Sequence, residues 1–370
     1  MKLFIRVVAV NLTLLALVLV LVELLAGSWF GEQALGDIDI PAYREQSMDV
    51  SELYAGGGVV RWRRDRHGLR GRYPAPEKID ILAVGGSTTA ESLINDGATW
   101  TDTLARSLST PDRPVHVANA GLDGHSTFGH LKAFREWFPR IPGLKPRYVL
   151  FYVGINDTQI SDENPSYFDS FRPRSRVESL RNRLYNDSAL YHLYRNARGL
   201  YRAYVSDVVH QPGELKFKDM GNDSLVPVAP DVIQRVVVER NEGALRRYRE
   251  RLRRLAADAG ELGAKVIIVN QLWRGVFGRS GDMFVRRRQA RDADMLYVGY
   301  LRSRIYAAAT MAACRKVQDA TCIDLAEQLP LEPGDLYDHV HVAPSGAAKI
   351  GEFLAREIRR HKIDVYVNVN

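Results

Sequence analysis

Near residue 80 an apolar run, Ile79-Asp80-Ile81-Leu82-Ala83-Val84, ends in Gly85-Gly86-Ser87-Thr88-Thr89. In open α/β sheets the carboxyl edge of the strands is where ligands bind. A serine delivered there becomes a nucleophile once a base takes its proton. Asp338-His339-Val340-His341, near the other end of the chain, offers that base. The spacing lets one loop carry a carboxylate, Asp338, that holds an imidazole tautomer, and an imidazole, His341, that reaches Ser87. His339 would then point elsewhere. The chemistry is acyl transfer from an ester.

Such chemistry also needs donors for the oxyanion that forms on the acyl carbonyl. The backbone amide of Ser87 is one candidate, because a helix beginning just after the strand stabilises negative charge at its N-terminus. Gly124, in Asn119-Ala120-Gly121-Leu122-Asp123-Gly124-His125, is a second, since a glycine lets its N–H approach a ligand without a side chain in the way. Asn156, in Gly154-Ile155-Asn156-Asp157, is a third, with two side-chain N–H donors. Each motif has a plainer reading: a tight turn or phosphate cradle at 85–89, although the P-loop lysine is absent, a turn at 154–157, and a structural histidine at 341. Their order, each following a strand of one sheet, favours the catalytic reading.

The elements that must position these residues follow from hydrophobic patterning. Short Val- and Ile-rich runs at 79–84, 115–118, 148–153, 265–270 and 321–324 have the character of strands buried on both faces. Helical patterns near 98–108, 128–138, 234–260, 285–317 and 345–361 fill the intervals. This alternation predicts a five-stranded parallel sheet with helices on both faces, a doubly wound domain of flavodoxin-like kind. About 110 residues separate the third strand from the fourth, more than a crossover requires. The excess, at about 160–232, reads as an inserted helical cap without a strand of its own over 162–231. Its stripe of Leu190, Leu193, Tyr194, Ala197, Tyr201 and Tyr204 is expected to pack on the main domain.

The first thirty residues are almost wholly apolar, and residues 3–30 are long enough to cross a bilayer. The run exceeds the apolar core of a cleaved signal peptide, so it reads as an uncleaved transmembrane anchor. Lys2 and Arg6 precede it while Glu32, Asp37 and Asp39 follow, which places the N-terminus in the cytoplasm and the rest of the chain outside. Residues 31–78, with Gly56-Gly57-Gly58 and Pro74-Ala75-Pro76, read as a linker and irregular lead-in to a domain at 79–362, and 363–370 as a tail. The net charge of +7 comes partly from Arg61-Trp62-Arg63-Arg64-Asp65-Arg66 and Arg286-Arg287-Arg288, expected to be solvated faces, and no nucleic-acid module is recognisable. Cys314 and Cys322 are either a disulfide between a helix end and the next strand or two separate buried thiols. No histidine spacing accompanies them to propose zinc.

Taken together, the four blocks Gly86-Ser87-Thr88-Thr89, Gly124, Gly154-Ile155-Asn156-Asp157 and Asp338 with His341 resemble the SGNH or GDSL-type hydrolases, over about 79–360. The resemblance implies a three-layer α/β/α domain, a Ser87–His341–Asp338 triad, and an oxyanion hole formed by the amides of Ser87 and Gly124 with the Asn156 side chain. One departure stands out: the family's first block usually has Asp before the serine, and this chain has Gly86. The α/β-hydrolase fold would want Gly-x-Ser-x-Gly, and position 89 is Thr. The expected protein is a membrane-anchored, extracytoplasmic serine ester hydrolase acting on small-molecule or glycan esters, with no metal or organic cofactor. Its rivals are an O-acetyltransferase working through the same acyl-enzyme and a catalytically idle envelope component.

Overall fold

The computed structural model describes residues 2–27, 44–160, 242–271 and 293–365 without a break, together with isolated positions within 29–42, 169–197, 225–227 and 273–286. The chain opens with helix α1 (Lys2–Ala26) and an antiparallel ribbon of β1 (Arg44–Asp49) and β2 (Val59–Arg64). It then alternates through β3 (Ile81–Gly85), α2 (Ser87–Ala90), α3 (Trp100–Leu108), β4 (Val117–Asn119), α4 (Thr127–Lys132) and β5 (Tyr148–Val153). After β6 (Leu225–Pro227) come α5 (Glu242–Glu261), β7 (Lys265–Asn270), β8 (Val276–Arg279), β9 (Asp282–Arg286) and α6 (Ala293–Cys314). The last elements are β10 (Thr321–Ile323), α7 (Leu325–Gln328) and α8 (Pro344–Arg360).

Five strands form one parallel sheet in the order β10-β7-β5-β3-β4. Every residue of β3 and β5 is buried, and the two-residue period of a strand divides them between two cores. Ile81, Ala83, Leu150 and Tyr152 face a layer containing Trp100 and Leu104 of α3 and Ile350 and Leu354 of α8. Leu82, Val84, Val149 and Phe151 face the opposite layer, with Tyr248 and Leu252 of α5 and Met311 of α6. The result is the expected three-layer, doubly wound fold. Its strand order reverses at β3, which puts the carboxyl end of β3 at the switch point where such sheets bind ligands.

The lead-in is structured where the sequence reads as irregular. Along β2 burial alternates, so Val60, Trp62 and Arg64 turn inward, and only part of the basic run is solvated. Arg64 donates to the carbonyls of Gly68, at 2.7 Å, and Gly121. Three arginines in six residues mask the alternation, because a buried guanidinium that donates to carbonyls has the same sequence signature as an exposed one. Leu35, Ile38 and Ile40 enter the main core, while Val50, Leu53, Tyr54 and Val60 pack on Tyr337 and Ala343.

The insertion also departs from expectation. A second, antiparallel sheet of order β6-β9-β8 uses Leu225–Pro227, inside the stretch expected to lack strands. Three residues ending in proline carry too little pattern to register, and their partner β9 lies more than fifty residues away. That strand, Asp282–Arg286, also displaces the start of the helix expected from 285, and α6 begins at Ala293. Arg287 and Arg288 lie outside the described residues, as do Tyr201 and Tyr204. Leu193, Tyr194 and Ala197 of the apolar stripe are exposed and do not pack on the main domain. Cys314 and Cys322 are joined in a disulfide that ties the end of α6 to β10.

Candidate active site

Ser87 is the first residue of α2, immediately beyond the carboxyl end of β3. An N–H in the first helical turn has no partner within its own helix, so the serine amide is directed past the strand end along with its hydroxyl. The turn is short. Glu91 ends it in the left-handed region at φ 46°, with its N–H on the Ser87 carbonyl at 2.8 Å. The Glu91 carboxylate accepts the Trp100 N–H at 2.8 Å, and burial pushes its titration up to about 8.

His341 reaches Ser87 from the loop before α8. Its Nε2 lies 2.7 Å from Ser87 Oγ, and its Nδ1 lies 2.6 Å from Asp338 Oδ2. The other Asp338 oxygen accepts the backbone N–H groups of Val340 and His341, at 2.8 and 2.7 Å. Burial alone would raise the Asp338 carboxyl, but the His341 hydrogen bond and those two amides outweigh it and hold it below the ordinary carboxylate value. For His341 burial disfavours the cation, and the Asp338 hydrogen bond and charge, with Asp123 further off, reverse that and raise it. The site thus favours an imidazolium, the species a general base becomes when it takes a proton.

The loop that carries both residues is closed by its own backbone. Tyr337 N–H meets the His341 carbonyl at 3.1 Å, and Ala343 N–H meets the Asp335 carbonyl at 2.8 Å. Tyr337 lies parallel to the His341 ring, with centroids 5.6 Å apart and planes at 4°, and Tyr54 of the lead-in backs it at 6.1 Å. His339 stacks on Trp273, with ring centroids 4.3 Å apart.

Gly124 and Asn156 converge from the neighbouring strand ends. Gly124 takes φ +74°, open to glycine, in the turn after β4. The next carbonyl, that of His125, accepts the Asn156 side-chain amide at 2.8 Å. A Cβ on Gly86 would sit 2.4 Å from Asn156 Nδ2 and 3.1 Å from the His125 carbonyl, so residue 86 has no room for a side chain while Asn156 holds this position. Next to Asn156, Asp157 accepts Thr127 Oγ1 at 2.5 Å and pairs with Arg251 of α5.

All five residues singled out from the sequence, Ser87, Gly124, Asn156, Asp338 and His341, lie on this one edge. The sequence did not single out Gln271, just past β7, whose Nε2 donates to Thr88 Oγ1 at 2.5 Å while its Oε1 accepts the Ile155 N–H at 3.0 Å. It couples the loop carrying Ser87 to the loop carrying Asn156. The strand-end rule that points to the other residues applies equally to Gln271. Among the described residues no group of three or more His, Cys, Asp or Glu is placed to hold a metal ion.

A doubly wound α/β/α sheet with serine, histidine and aspartate in hydrogen-bonded sequence at its switch point defines a class of ester hydrolase. Residues 81–354 match the family described as GDSL-like lipase/acylhydrolase, and the chain belongs to that family. Among solved structures it is similar to a catalytic mutant of Axe2, an acetylxylan esterase from Geobacillus stearothermophilus, at 13% identity and a TM-score of 0.38, over 78% of this chain and 96% of that one. It is likewise similar to a member of the lipolytic G-D-S-L family from Veillonella parvula, at 13% identity and a TM-score of 0.39, over 76% and 97% of the two chains. A comparison with curated proteins found no match.

Proposed function

We propose that the protein is a membrane-anchored, extracytoplasmic serine esterase. The observation that carries the reading is the unbroken hydrogen-bond row Asp338–His341–Ser87 at the carboxyl edge of β3. Ser87 Oγ attacks the acyl carbonyl carbon as His341 Nε2 takes its proton, and Asp338 keeps Nδ1 protonated and the ring oriented. The carbonyl oxygen, now negative, is held by the amides of Ser87 and Gly124 and by Asn156 Nδ2, each such donor typically contributing about 2.7–4 kcal/mol to the transition state. The tetrahedral species collapses, and His341 returns the proton to the departing alkoxide. Water repeats the sequence on the acyl-serine and frees the acid.

Two features support the location. Phe4–Ala26 is a 23-residue apolar helix that buries none of its apolar window against the rest of the chain, and about 20 such residues span the hydrocarbon layer. The Cys314–Cys322 disulfide fits an oxidising compartment. An esterase held there would meet O-acyl groups of envelope or exported polysaccharide, and these are the substrates we assign.

Labelling with a fluorophosphonate tests the nucleophile directly. The detergent-solubilised full chain is expected to be labelled at Ser87, shown by peptide mass, and to hydrolyse p-nitrophenyl acetate; Ser87→Ala should lose both. Equal turnover by wild type and Ser87→Ala would overturn the assignment. An acetyl-donor hydrolysis that accelerates on adding a glycan acceptor would favour transfer over hydrolysis.

Gly86→Ala probes the oxyanion site without touching a reacting atom. The new methyl must displace Asn156, so kcat is expected to fall by about 10²–10³, the usual cost of one oxyanion donor, with KM little changed. Steady-state kinetics on p-nitrophenyl acetate reads this out, and an unchanged kcat would remove Asn156 from the oxyanion hole.

A further inference from the structure

The insertion carries apolar side chains that neither the sheet nor the site uses. Outside α1, the large hydrophobic residues exposed among the described residues are Val59, Val177, Leu180, Leu184, Leu193 and Tyr194, so five of six fall within one stretch of eighteen residues. Val177, Leu180 and Leu184 are 76%, 59% and 46% exposed, lie in helical conformation, and are spaced three and four apart, which puts them on one face. A soluble domain has no reason to concentrate such side chains in water.

The same stretch is attached to the end of α1. Glu23, one turn before the end of the apolar helix, accepts the Ala189 N–H at 3.0 Å, the Leu190 N–H at 3.2 Å and the Ser188 hydroxyl. Its Oε2 also accepts Trp29 Nε1 at 2.9 Å. A Cβ on Gly27 would sit 2.8 Å from the Asp187 carbonyl, so the two backbones approach closely there. If α1 spans the bilayer, Glu23 and Trp29 stand at its outer boundary, where an aromatic and a paired carboxylate are tolerated. The exposed apolar face starts beside them. Between residues 171 and 200 the sequence has seven arginines against two acidic residues, the composition of an amphipathic segment lying in a lipid interface.

We infer that the insertion is a second membrane contact, in which Val177, Leu180, Leu184, Leu193 and Tyr194 rest in the outer lipid surface beside the anchor. This rests on the anchor reading of α1. The occupant is lipid, because the face continues a membrane-spanning helix through the Glu23 hydrogen bonds and the sequence of this stretch is rich in arginine.

Nitroxide labels on the full chain, reconstituted in vesicles of phosphatidylethanolamine and phosphatidylglycerol, test it. Cysteines are introduced singly by Leu180→Cys and Leu184→Cys, by Leu14→Cys within the span, and by Glu352→Cys on the exposed face of α8; the native cysteines are tied up in their disulfide. Labels at 180, 184 and 14 should collide preferentially with oxygen, with an oxygen-to-nickel-chelate ratio about fivefold or more above that at 352, as expected for side chains below the headgroups. Glu23→Leu should keep the label at 14 in lipid and bring the one at 184 toward the ratio at 352. Labels at 180 and 184 that match 352 while 14 stays in lipid would overturn the second contact and leave the anchor standing. A label at 14 exposed to the nickel chelate would overturn the anchor and the contact with it. Labels at 180 and 184 shielded from both reagents would assign the face to a protein partner instead.

Discussion

His341→Ala is expected to lower kcat for p-nitrophenyl acetate by about 10⁶ and Asp338→Asn by about 10⁴, with the double variant no worse than His341→Ala. The inequality follows from the geometry. Among the described residues, His341 is the group within hydrogen-bonding distance of Ser87 Oγ that can accept its proton. Asp338 acts one bond further away, on Nδ1, and its two backbone donors show that it is fixed in place as well as charged. The pH profile separates the roles. Because Asp338 raises the His341 titration against the pull of burial, kcat/KM for a neutral ester should climb with pH along a limb centred above the ordinary imidazole value of about 6.5. In Asp338→Asn that limb should move to lower pH. A limb that stays where it is in wild type would mean that another group supplies the base. The same interaction adds stability that is full below the ordinary imidazole value and is lost as pH rises through the raised one.

Removing Arg251 should be strongly destabilising although it lies outside the apolar core. Its guanidinium is buried between α5 and the start of α4, with Nε on Thr127 Oγ1 at 2.7 Å, Nη2 3.4 Å from Asp157 Oδ1, and the Phe128 ring 4.1 Å beneath it. Arg251→Ala leaves the buried Asp157 carboxylate without its cation, and breaking a buried pair this way costs about 3–5 kcal/mol. That should appear as a fall in Tm on the order of 10 °C. Arg251→Met with Asp157→Asn removes both charges and keeps much of the volume, so it should cost clearly less than the two single losses added together. An additive double variant would show that the two side chains do not act as a pair. Burial already pushes Asp157 up to about 6 in the wild type, against the pull of Arg251. Its contribution is therefore complete below the ordinary carboxylate value and is lost as the pH rises toward about 6. Without Arg251 that loss should extend to higher pH.

What the sequence shows, and what it does not, follows from the range of each interaction. Ser87, Gly124, Asn156 and the Asp338–His341 loop are legible because each stands at the end of an apolar run, and the topology rule brings such ends to one edge. The parallel strands are legible for the same reason, since burial on both faces leaves unbroken Val and Ile runs. Tyr54 behind Tyr337 is not legible, because nothing local distinguishes a tyrosine that packs against a loop nearly 300 residues away. The buried faces of Trp62 and Arg64 are hidden by the arginines around them, and the β6-β9-β8 sheet is built from strands too short and too far apart to announce their pairing. Gly86 is read from sequence as a departure from a family pattern. In the structure it is the space that Asn156 occupies.

Among the described residues, Leu35 is the first after α1 to enter the main core, nine positions beyond Ala26. Nine residues reach at most about 30 Å when fully extended, which bounds how far the folded domain can stand from α1. A free linker of the length between α1 and β3 would let the catalytic edge sample a volume tens of ångströms deep. The folded lead-in narrows that range. With α1 in a bilayer, as proposed, that reach keeps Ser87 near the lipid, and an ester reaches it by coming to the membrane.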